Sequence, residues 1–165
     1  MNTLTISKIT EKQLEETEAK FKLWQEKKKE GRRENLILFR DPTIWAYANL
    51  KDEENKPLKL YPYQDLIINN DKRHIAFCAA RQIGKTTMLC VKALHHALFT
   101  DNAFVIIVSR SEPQAAHVLD VIKEFMLRAE VHFEEVLGDV QNRMELFLKT
   151  SEKSISKILC LPPTE

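Results

Sequence analysis

The residues with the clearest chemical potential are Gly84, Lys85 and Thr86, a Gly-Lys-Thr tripeptide that follows the apolar segment 76–80. A phosphate-binding loop has the pattern Gly-x-x-x-x-Gly-Lys-Ser/Thr, and the window 79–86 matches it with alanine at the first glycine. The tripeptide could also begin an ordinary helix by chance. However, it follows a strand-like segment and opens a helical one, which is the context that the motif requires. We therefore predict a loop that binds ATP and Mg²⁺.

Each part of this loop has a predicted role. Gly84 permits a backbone geometry that a side chain would obstruct, so that successive N–H groups can surround phosphate oxygens. Lys85 would reach the β- and γ-phosphates, and the Thr86 hydroxyl would ligate the metal. The predicted nucleotide contacts within the loop and the following helix are Ala79, Ala80, Gln82, Ile83, Gly84, Lys85, Thr86 and Thr87.

A possible base-recognition segment lies about twenty residues before the loop. The amide of Gln64 offers a donor and an acceptor, which suits the edge of adenine, and Tyr61 or Tyr63 could stack on the ring. The alternative is that Gln64 is an exposed residue at a helix start and that the tyrosines belong to the core. With the loop downstream, we favour adenine recognition.

The elements that must position these residues alternate between strands and helices. Segments 74–80 and 103–109 are predicted strands, the second one buried on both faces because its apolar run is continuous. Helices are expected over 85–98 and after Ser111, which forms a capping box with Gln114. Pro42, behind the cap Asp41, and Pro62 mark two earlier helix starts. Segments 144–150 and 154–162 alternate like strands of a hairpin.

Helical material precedes the first strand. Thr10 and Gln13 form a capping box that predicts a helix ending near Gly31, with Leu14, Phe21 and Trp24 near one face. A basic cluster, residues 27–29 and 32–33, lies at its end. This cluster is either a solvated helix terminus or a DNA-contacting patch. The helix itself could pack on the core or dock onto a partner.

Composition narrows the class of protein. A chain of 165 residues with 44% hydrophobic residues is about one domain long, and its net charge of +1 provides no global attraction to nucleic acid. The three cysteines, Cys78, Cys90 and Cys160, lack metal-binding spacing, so we expect them to be buried and reduced. No segment reads as a signal peptide or a membrane span. The element order predicts an α/β fold with a parallel sheet.

The sequence resembles the large terminase subunit of tailed phages and related viruses. Segments 41–50 and 58–68 resemble the region ahead of the motor and its adenine motif. Segment 80–87, "ARQIGKTT", resembles the variant Walker A motif of that family, and segment 105–125 resembles the next strand and helix. Segment 154–163 resembles the strand region before Walker B. Together these segments cover about residues 41–163.

The resemblance implies a RecA-like P-loop NTPase domain, over residues 41–165, behind a helical segment 1–40. It implies that Gln64 contacts adenine, that Lys85 is catalytic, and that Arg81 stabilises charge during hydrolysis. For Arg81, a salt bridge or a solvent-facing position is the alternative. Double-stranded DNA, a portal protein and a small terminase subunit are the implied partners. Oligomerisation on the portal and a location in the host cytoplasm, away from membranes, are also implied.

A Walker B strand, an apolar run ending in Asp and usually Glu, is not found after the loop. The nuclease carboxylates of the family are also missing. We therefore expect a truncated or split terminase product with weak nucleotide binding and negligible hydrolysis on its own. The alternatives are a fragment of a superfamily-two helicase or translocase and a non-catalytic nucleotide-binding module. A small-molecule kinase is disfavoured because no arginine-bearing lid is evident.

Overall fold

A computed structural model describes residues 3–5, 11–30, 40–129 and 143–162. Side chains are described for residues 11–23, 40–129 and 143–162. The element order is β1 (Thr3–Thr5), α1 (Glu11–Glu30), α2 (Pro42–Asn49), α3 (Pro62–Ile68), β2 (Ala76–Cys78), α4 (Lys85–Phe99), β3 (Phe104–Val108), α5 (Glu112–Arg128), β4 (Glu145–Ser151) and β5 (Ser154–Leu161). The predicted α/β class is confirmed. The calls on Thr10, Gly31 and residues 32–33, and those on the side chains of Trp24 and residues 27–29, lie outside the described residues.

Local signals set the helix starts. Asp41 caps α2, and its Oδ1 accepts from the N–H groups of Thr43 at 2.9 Å and Ile44 at 3.2 Å. Pro42 occupies the first turn, where no N–H partner is needed. Helix α5 begins after Ser111 as predicted, but no side-chain hydrogen bond caps it. The predicted capping box at Ser111 is therefore wrong, although the helix start is right.

The main sheet is small and mixed. Its order is β3-β5-β4, in which β3 pairs with β5 in parallel and β4 pairs with β5 antiparallel. Strands β1 and β2 form a separate two-stranded parallel sheet. The sheet is therefore parallel, as predicted from the element order, only between β3 and β5. The hairpin predicted for residues 144–150 and 154–162 is confirmed, because the two-residue connection Glu152–Lys153 joins β4 to β5 and requires antiparallel strands.

The core lies between this sheet and helices α4 and α5. Its fully buried side chains include Leu94 on α4, Leu119 and Ile122 on α5, and Leu146 and Ile158 on the hairpin. These positions recur at helical spacing on the helices and alternate along the strands, so each element buries one face. This packing holds the start of α4, and the loop before it, against a rigid support.

Strand β3 is buried on one face only. Phe104, Ile106 and Val108 are 58%, 52% and 64% exposed, whereas Val105 and Ile107 pack against the core. The prediction that this strand is buried on both faces is therefore wrong. In the described part of the chain, helices cover a single side of the sheet. Strand β2 is likewise half-exposed and only three residues long, shorter than predicted.

Helix α1 is attached to α2 and α3 by a charged cluster. The Lys20 ammonium lies 3.0 Å from both carboxylate oxygens of Asp65 and 3.1 Å from Asp41 Oδ2. The Thr17 hydroxyl also donates to Asp65, and the Asn69 amide donates to both aspartates. Burial lowers the pKa of Lys20, but the two aspartates outweigh this effect and raise it overall. Lys20 is therefore held as a cation at the helix junction.

The apolar face of α1 is only partly used. Phe21 is buried against Ile44 and Tyr47, whereas Leu14 is 47% exposed. The predicted stripe is therefore confirmed at Phe21 and not at Leu14.

None of the described helices is long and apolar enough to span a membrane.

Candidate nucleotide-binding site

The predicted phosphate loop connects β2 to α4. Gly84 immediately precedes α4 in a left-handed conformation, with φ of +77°, and its carbonyl accepts the first helical hydrogen bond from Met88 N at 3.0 Å. Gln82 is also left-handed, with φ of +60°. Such a conformation is uncommon for a residue with a side chain and often occurs at functional sites. The loop thus delivers the N-terminus of a fifteen-residue helix, whose first N–H groups lack helical partners and favour anions.

The Lys85 side chain folds back across the loop. Its ammonium donates to the carbonyl of Ala80 and lies 3.4 Å from the carbonyl of Ala79. Both carbonyls belong to the loop, so the ammonium is held within it by neutral acceptors. A phosphate oxygen is a stronger acceptor for a cation than a carbonyl, because the hydrogen bond is charge-assisted on both sides.

Two side chains from the start of α3 hold the loop. The Tyr63 hydroxyl donates to the carbonyl of Ile83, and Gln64 Nε2 donates to the carbonyl of Gly84 at 3.0 Å. Burial, followed by the neighbouring Tyr61, raises the pKa of Tyr63, so its hydroxyl keeps the proton that it donates. Gln64 is 3% exposed, and its Oε1 accepts from Tyr61 N at 2.7 Å. These contacts fix two consecutive carbonyls of the loop.

A cavity of about 440 Å³ opens between these elements. It is lined by Tyr61 and Tyr63 on one side and by strand and loop residues on the other, namely Cys78, Ala79, Ala80, Gln82 and Ile83. The two tyrosine rings are stacked, 5.9 Å between centroids and 8° from parallel. Four predicted nucleotide contacts and both candidate aromatic residues thus surround one cavity. Gln64 is not on its wall.

Thr86 and Thr87 line a second cavity, of about 590 Å³. Its wall also includes His117 and Arg128 from α5 and four carboxylates from the α2–α3 connection and α5, namely Asp52, Glu53, Glu54 and Glu124, of which Glu124 pairs with Arg128. The acidic wall disfavours DNA phosphates here. In the described ranges, no group of three or more His, Cys, Asp or Glu residues could hold a metal ion. Thr86 stays the predicted ligand of a magnesium ion, an ion that usually keeps several waters and takes further ligands from phosphates.

Arg81 and the cysteines complete the surroundings of the loop. Arg81 is exposed, and no ion pair joins it to another residue in the described ranges. Cys90 and Cys160 are buried as predicted, but Cys78 is exposed at the cavity, so the prediction that all three are buried is wrong. The reason is that Cys78, the last residue of β2, lies on the wall of an open cavity. Burial raises the pKa of Cys90 to about 12 and that of Cys160 to about 11.

The sequence interpretation missed the support of the loop by α3. It considered Gln64, and one of Tyr61 and Tyr63, only for base recognition, and the structure adds hydrogen bonds from Gln64 and Tyr63 to loop carbonyls. The scarcity of glycine was a usable signal, because a Cβ at Gly84 would lie 2.6 Å from Gln64 Nε2. In a chain with three glycines, one at a helix start suggests a special backbone conformation or a close neighbour, although the sequence does not identify which one.

Comparison with known proteins is consistent with this geometry. Residues 76–156 match the family model described as terminase large subunit, T4likevirus-type, N-terminal. The matched segment runs from β2 through the loop, α4, β3, α5 and β4 into the first residues of β5. No curated protein matches the chain.

Proposed function

Through residues 76–156 the chain belongs to the terminase large-subunit family, and on this premise we propose that it is the nucleotide-binding part of an ATP-driven motor that moves double-stranded DNA into a viral procapsid. The observation that carries the proposal is the loop itself. Its Lys85 ammonium lies among loop carbonyls at the N-terminus of α4, next to a left-handed Gly84. This is an arrangement suited to a triphosphate tail.

Each loop group has one role in the proposal. The N–H groups of the first turn of α4 hold phosphate oxygens, and Lys85 exchanges its carbonyl partners for the β- and γ-phosphates. Thr86 would hold Mg²⁺, which would neutralise phosphate charge when bound. Arg81, which is exposed, would turn towards the terminal phosphate, where a guanidinium stabilises developing charge. Arg81 and Lys85 are therefore the catalytic residues of the proposal.

Partners follow from the family. Double-stranded DNA is the proposed cargo, with a portal protein and a small terminase subunit as binding partners and the host cytoplasm as the place of action. An assembly of several copies on the portal belongs to the same proposal. The acidic cavity lined by Thr86 and residues 52–54 is a poor surface for DNA, so we assign DNA contact to another face.

The family match favours this function over a helicase fragment. The model that residues 76–156 match is one of the terminase large subunit, and the match covers the loop, the following strand and α5. A non-catalytic nucleotide-binding module would use the same loop without turnover. The proposed motor and the non-catalytic module would both bind nucleotide, but only the motor would release phosphate.

Calorimetric titration of the full chain with ATP and Mg²⁺ tests the proposal. Lys85→Ala removes a charge-assisted contact of roughly 1.5–3 kcal/mol, so affinity is expected to fall about tenfold to a hundredfold. Lys153→Ala is the matched control, because it removes the same charge from the exposed hairpin turn and is expected to leave affinity unchanged. Equal affinities for the wild-type chain and Lys85→Ala would refute the proposal.

A further inference from the structure

Two consecutive peptide groups of the loop have carbonyls that are held by side chains of α3. The Ile83 carbonyl accepts from the Tyr63 hydroxyl. The Gly84 carbonyl accepts from Gln64 Nε2 at 3.0 Å. Every peptide bond in the described residues is trans, and in a planar trans peptide the C=O and the following N–H point in opposite directions. The contacts from α3 therefore also set the directions of the Gly84 and Lys85 N–H groups.

The two N–H groups differ in what else directs them. Gly84 O accepts from Met88 N at 3.0 Å, so it points along α4, and the Lys85 N–H points out of the helix start. Helix α4 would keep this direction without help from α3. The direction of the Gly84 N–H depends on the Ile83 carbonyl, which precedes the helix and accepts from the Tyr63 hydroxyl. Tyr63 is therefore the side chain that matters for the Gly84 N–H.

The backbone around Ile83 gives this N–H group a use. Gln82 and Gly84 are left-handed, with φ of +60° and +77°, whereas Ile83 between them is not. Alternation of this kind turns consecutive N–H groups towards one concave side of the backbone, where they can bind an anion together. Gly84 has no side chain to restrict rotation of its peptide groups. A hydrogen bond from outside the loop is thus an effective way to fix the peptide that joins Ile83 to Gly84.

Helix α3 is a firm support for such a hydrogen bond, because it is attached on two sides. Asp65 is held from α1 by Lys20, 3.0 Å from its Oδ1. At the other end of α3, the carbonyl of Ile68 accepts from the Lys92 ammonium of α4 at 2.8 Å. A donor whose own element is fixed orients its acceptor more sharply than a donor on a loose segment. The Tyr63 hydroxyl meets this condition.

We propose that the Tyr63 hydroxyl is a positioning residue for the triphosphate tail: it holds the Ile83 carbonyl and thereby aims the Gly84 N–H at a phosphate oxygen. The inference rests on the proposed function, because it presumes that the tail lies in the loop. A hydrogen bond weakens steeply when its angle is poor, so the direction of the N–H group affects affinity. The role concerns the phosphates alone and is independent of the base.

The binding experiment compares ATP with inorganic tripolyphosphate, each with Mg²⁺, on the full wild-type chain and on Tyr63→Phe, which keeps the ring and loses only the hydroxyl. Both ligands are expected to bind the variant about threefold to tenfold more weakly, the effect of one impaired hydrogen bond. The factor should be equal for both, because tripolyphosphate has the phosphates and lacks the base. Tyr47→Phe is the matched control. It removes a hydroxyl at the contact between α1 and α2, where the ring packs on Phe21, and should leave both affinities unchanged.

NMR spectroscopy observes the Gly84 N–H itself. The chain has three glycines, and only Gly84 follows an isoleucine, so ¹⁵N-labelled glycine combined with ¹³C-carbonyl isoleucine marks the Ile83–Gly84 peptide alone. Saturating tripolyphosphate should move the Gly84 amide proton downfield in the wild-type chain, because a hydrogen bond to a charged oxygen is short and strong. The downfield movement should be smaller in Tyr63→Phe, whose Gly84 N–H is no longer aimed, and should match the wild type in Tyr47→Phe.

Two results would overturn the inference. Unchanged tripolyphosphate binding by Tyr63→Phe would show that the hydroxyl does not serve the phosphates, whatever happens to ATP. Weaker binding together with a wild-type movement of the Gly84 signal would show that the variant loosens the loop in general and that Tyr63 does not aim this N–H group. The wild-type chain tests the proposed function separately. If neither ATP nor tripolyphosphate binds to it, the proposed function fails, and the inference fails with it.

Discussion

Replacement of Gly84 by alanine tests whether α3 shapes the loop. Gly84 has φ of +77°, and a Cβ there would lie 2.6 Å from Gln64 Nε2. A left-handed residue with a side chain costs roughly 1–2 kcal/mol. The Cβ would also push the Gln64 amide away from Gly84 O, which costs about 0.5–1.5 kcal/mol for the lost hydrogen bond. The expected loss for Gly84→Ala is therefore roughly 1.5–3.5 kcal/mol in the free energy of unfolding.

Urea unfolding followed by tryptophan fluorescence measures this loss for four chains: wild type, Gly84→Ala, Gln64→Ala and the double variant. Without the Gln64 amide, Gly84→Ala should cost only the backbone component of about 1–2 kcal/mol. The two substitutions should therefore be non-additive, with a coupling of about 0.5–1.5 kcal/mol.

Strict additivity would contradict the contact between Gly84 and Gln64. A cost of Gly84→Ala below about 0.5 kcal/mol would contradict the left-handed conformation as well, because that conformation is strained for any residue with a Cβ. The two outcomes separate an error in the contact from an error in the backbone.

Two further predictions concern charged and thiol groups. Lys20→Met should lower the free energy of unfolding by about 1–2 kcal/mol, because a half-buried ion pair contributes less than a buried one. Because the pKa of Lys20 is raised, urea melts should show the same loss across neutral pH, and the loss should shrink only above the ordinary lysine pKa of 10.5. A constant deficit up to the highest measurable pH would contradict the pairing with Asp65. At pH 8 a thiol reagent should modify Cys78 alone in the folded chain, because burial leaves Cys90 and Cys160, with pKa values of about 12 and 11, unreactive. Mass spectrometry should find one label per folded chain and three labels per chain in urea. ATP should slow the labelling of Cys78 in the folded chain, because Cys78 lines the cavity.

Local signals predicted the element starts well. The Asp41–Pro42 pair and Pro62 marked α2 and α3 because capping and proline geometry depend on adjacent residues only. The hairpin was predictable for a similar reason, since alternation and a short polar connection occur within the seventeen residues from Glu145 to Leu161.

The burial of β3 was not predictable from its own sequence. Its run from Phe104 to Val108 is continuously apolar, and such a run is typical of a strand between two helical layers. Which layers exist depends on the rest of the chain, and in the described ranges α4 and α5 cover one face. On the other face, the Lys157 ammonium lies 6.0 Å from the Phe104 ring and 5.1 Å from the Phe147 ring. The sequence of β3 alone does not indicate that Lys157 lies beside it.

The same limit applies to the site. The Gly-Lys-Thr tripeptide predicted the loop because its strand and helix are adjacent in sequence, and the structure has both. The contact between Gln64 and Gly84 spans twenty residues, and the one between Lys20 and Asp65 spans 45. Periodicity and capping signals carry no information about residues so far apart in sequence. The two contacts depend on how α1 and α3 pack, which is seen only in the folded chain.

These long-range contacts extend the functional unit beyond the family match. The match begins at residue 76, yet the groups that hold the carbonyls of Ile83 and Gly84 come from Tyr63 and Gln64. Asp65, the next residue of α3, is in turn held by Lys20 of α1. A displacement of α1 would therefore reach the loop through three consecutive residues of one short helix. The segment before residue 76 therefore helps to position the loop, and its removal should alter the loop as well as the stability of the chain.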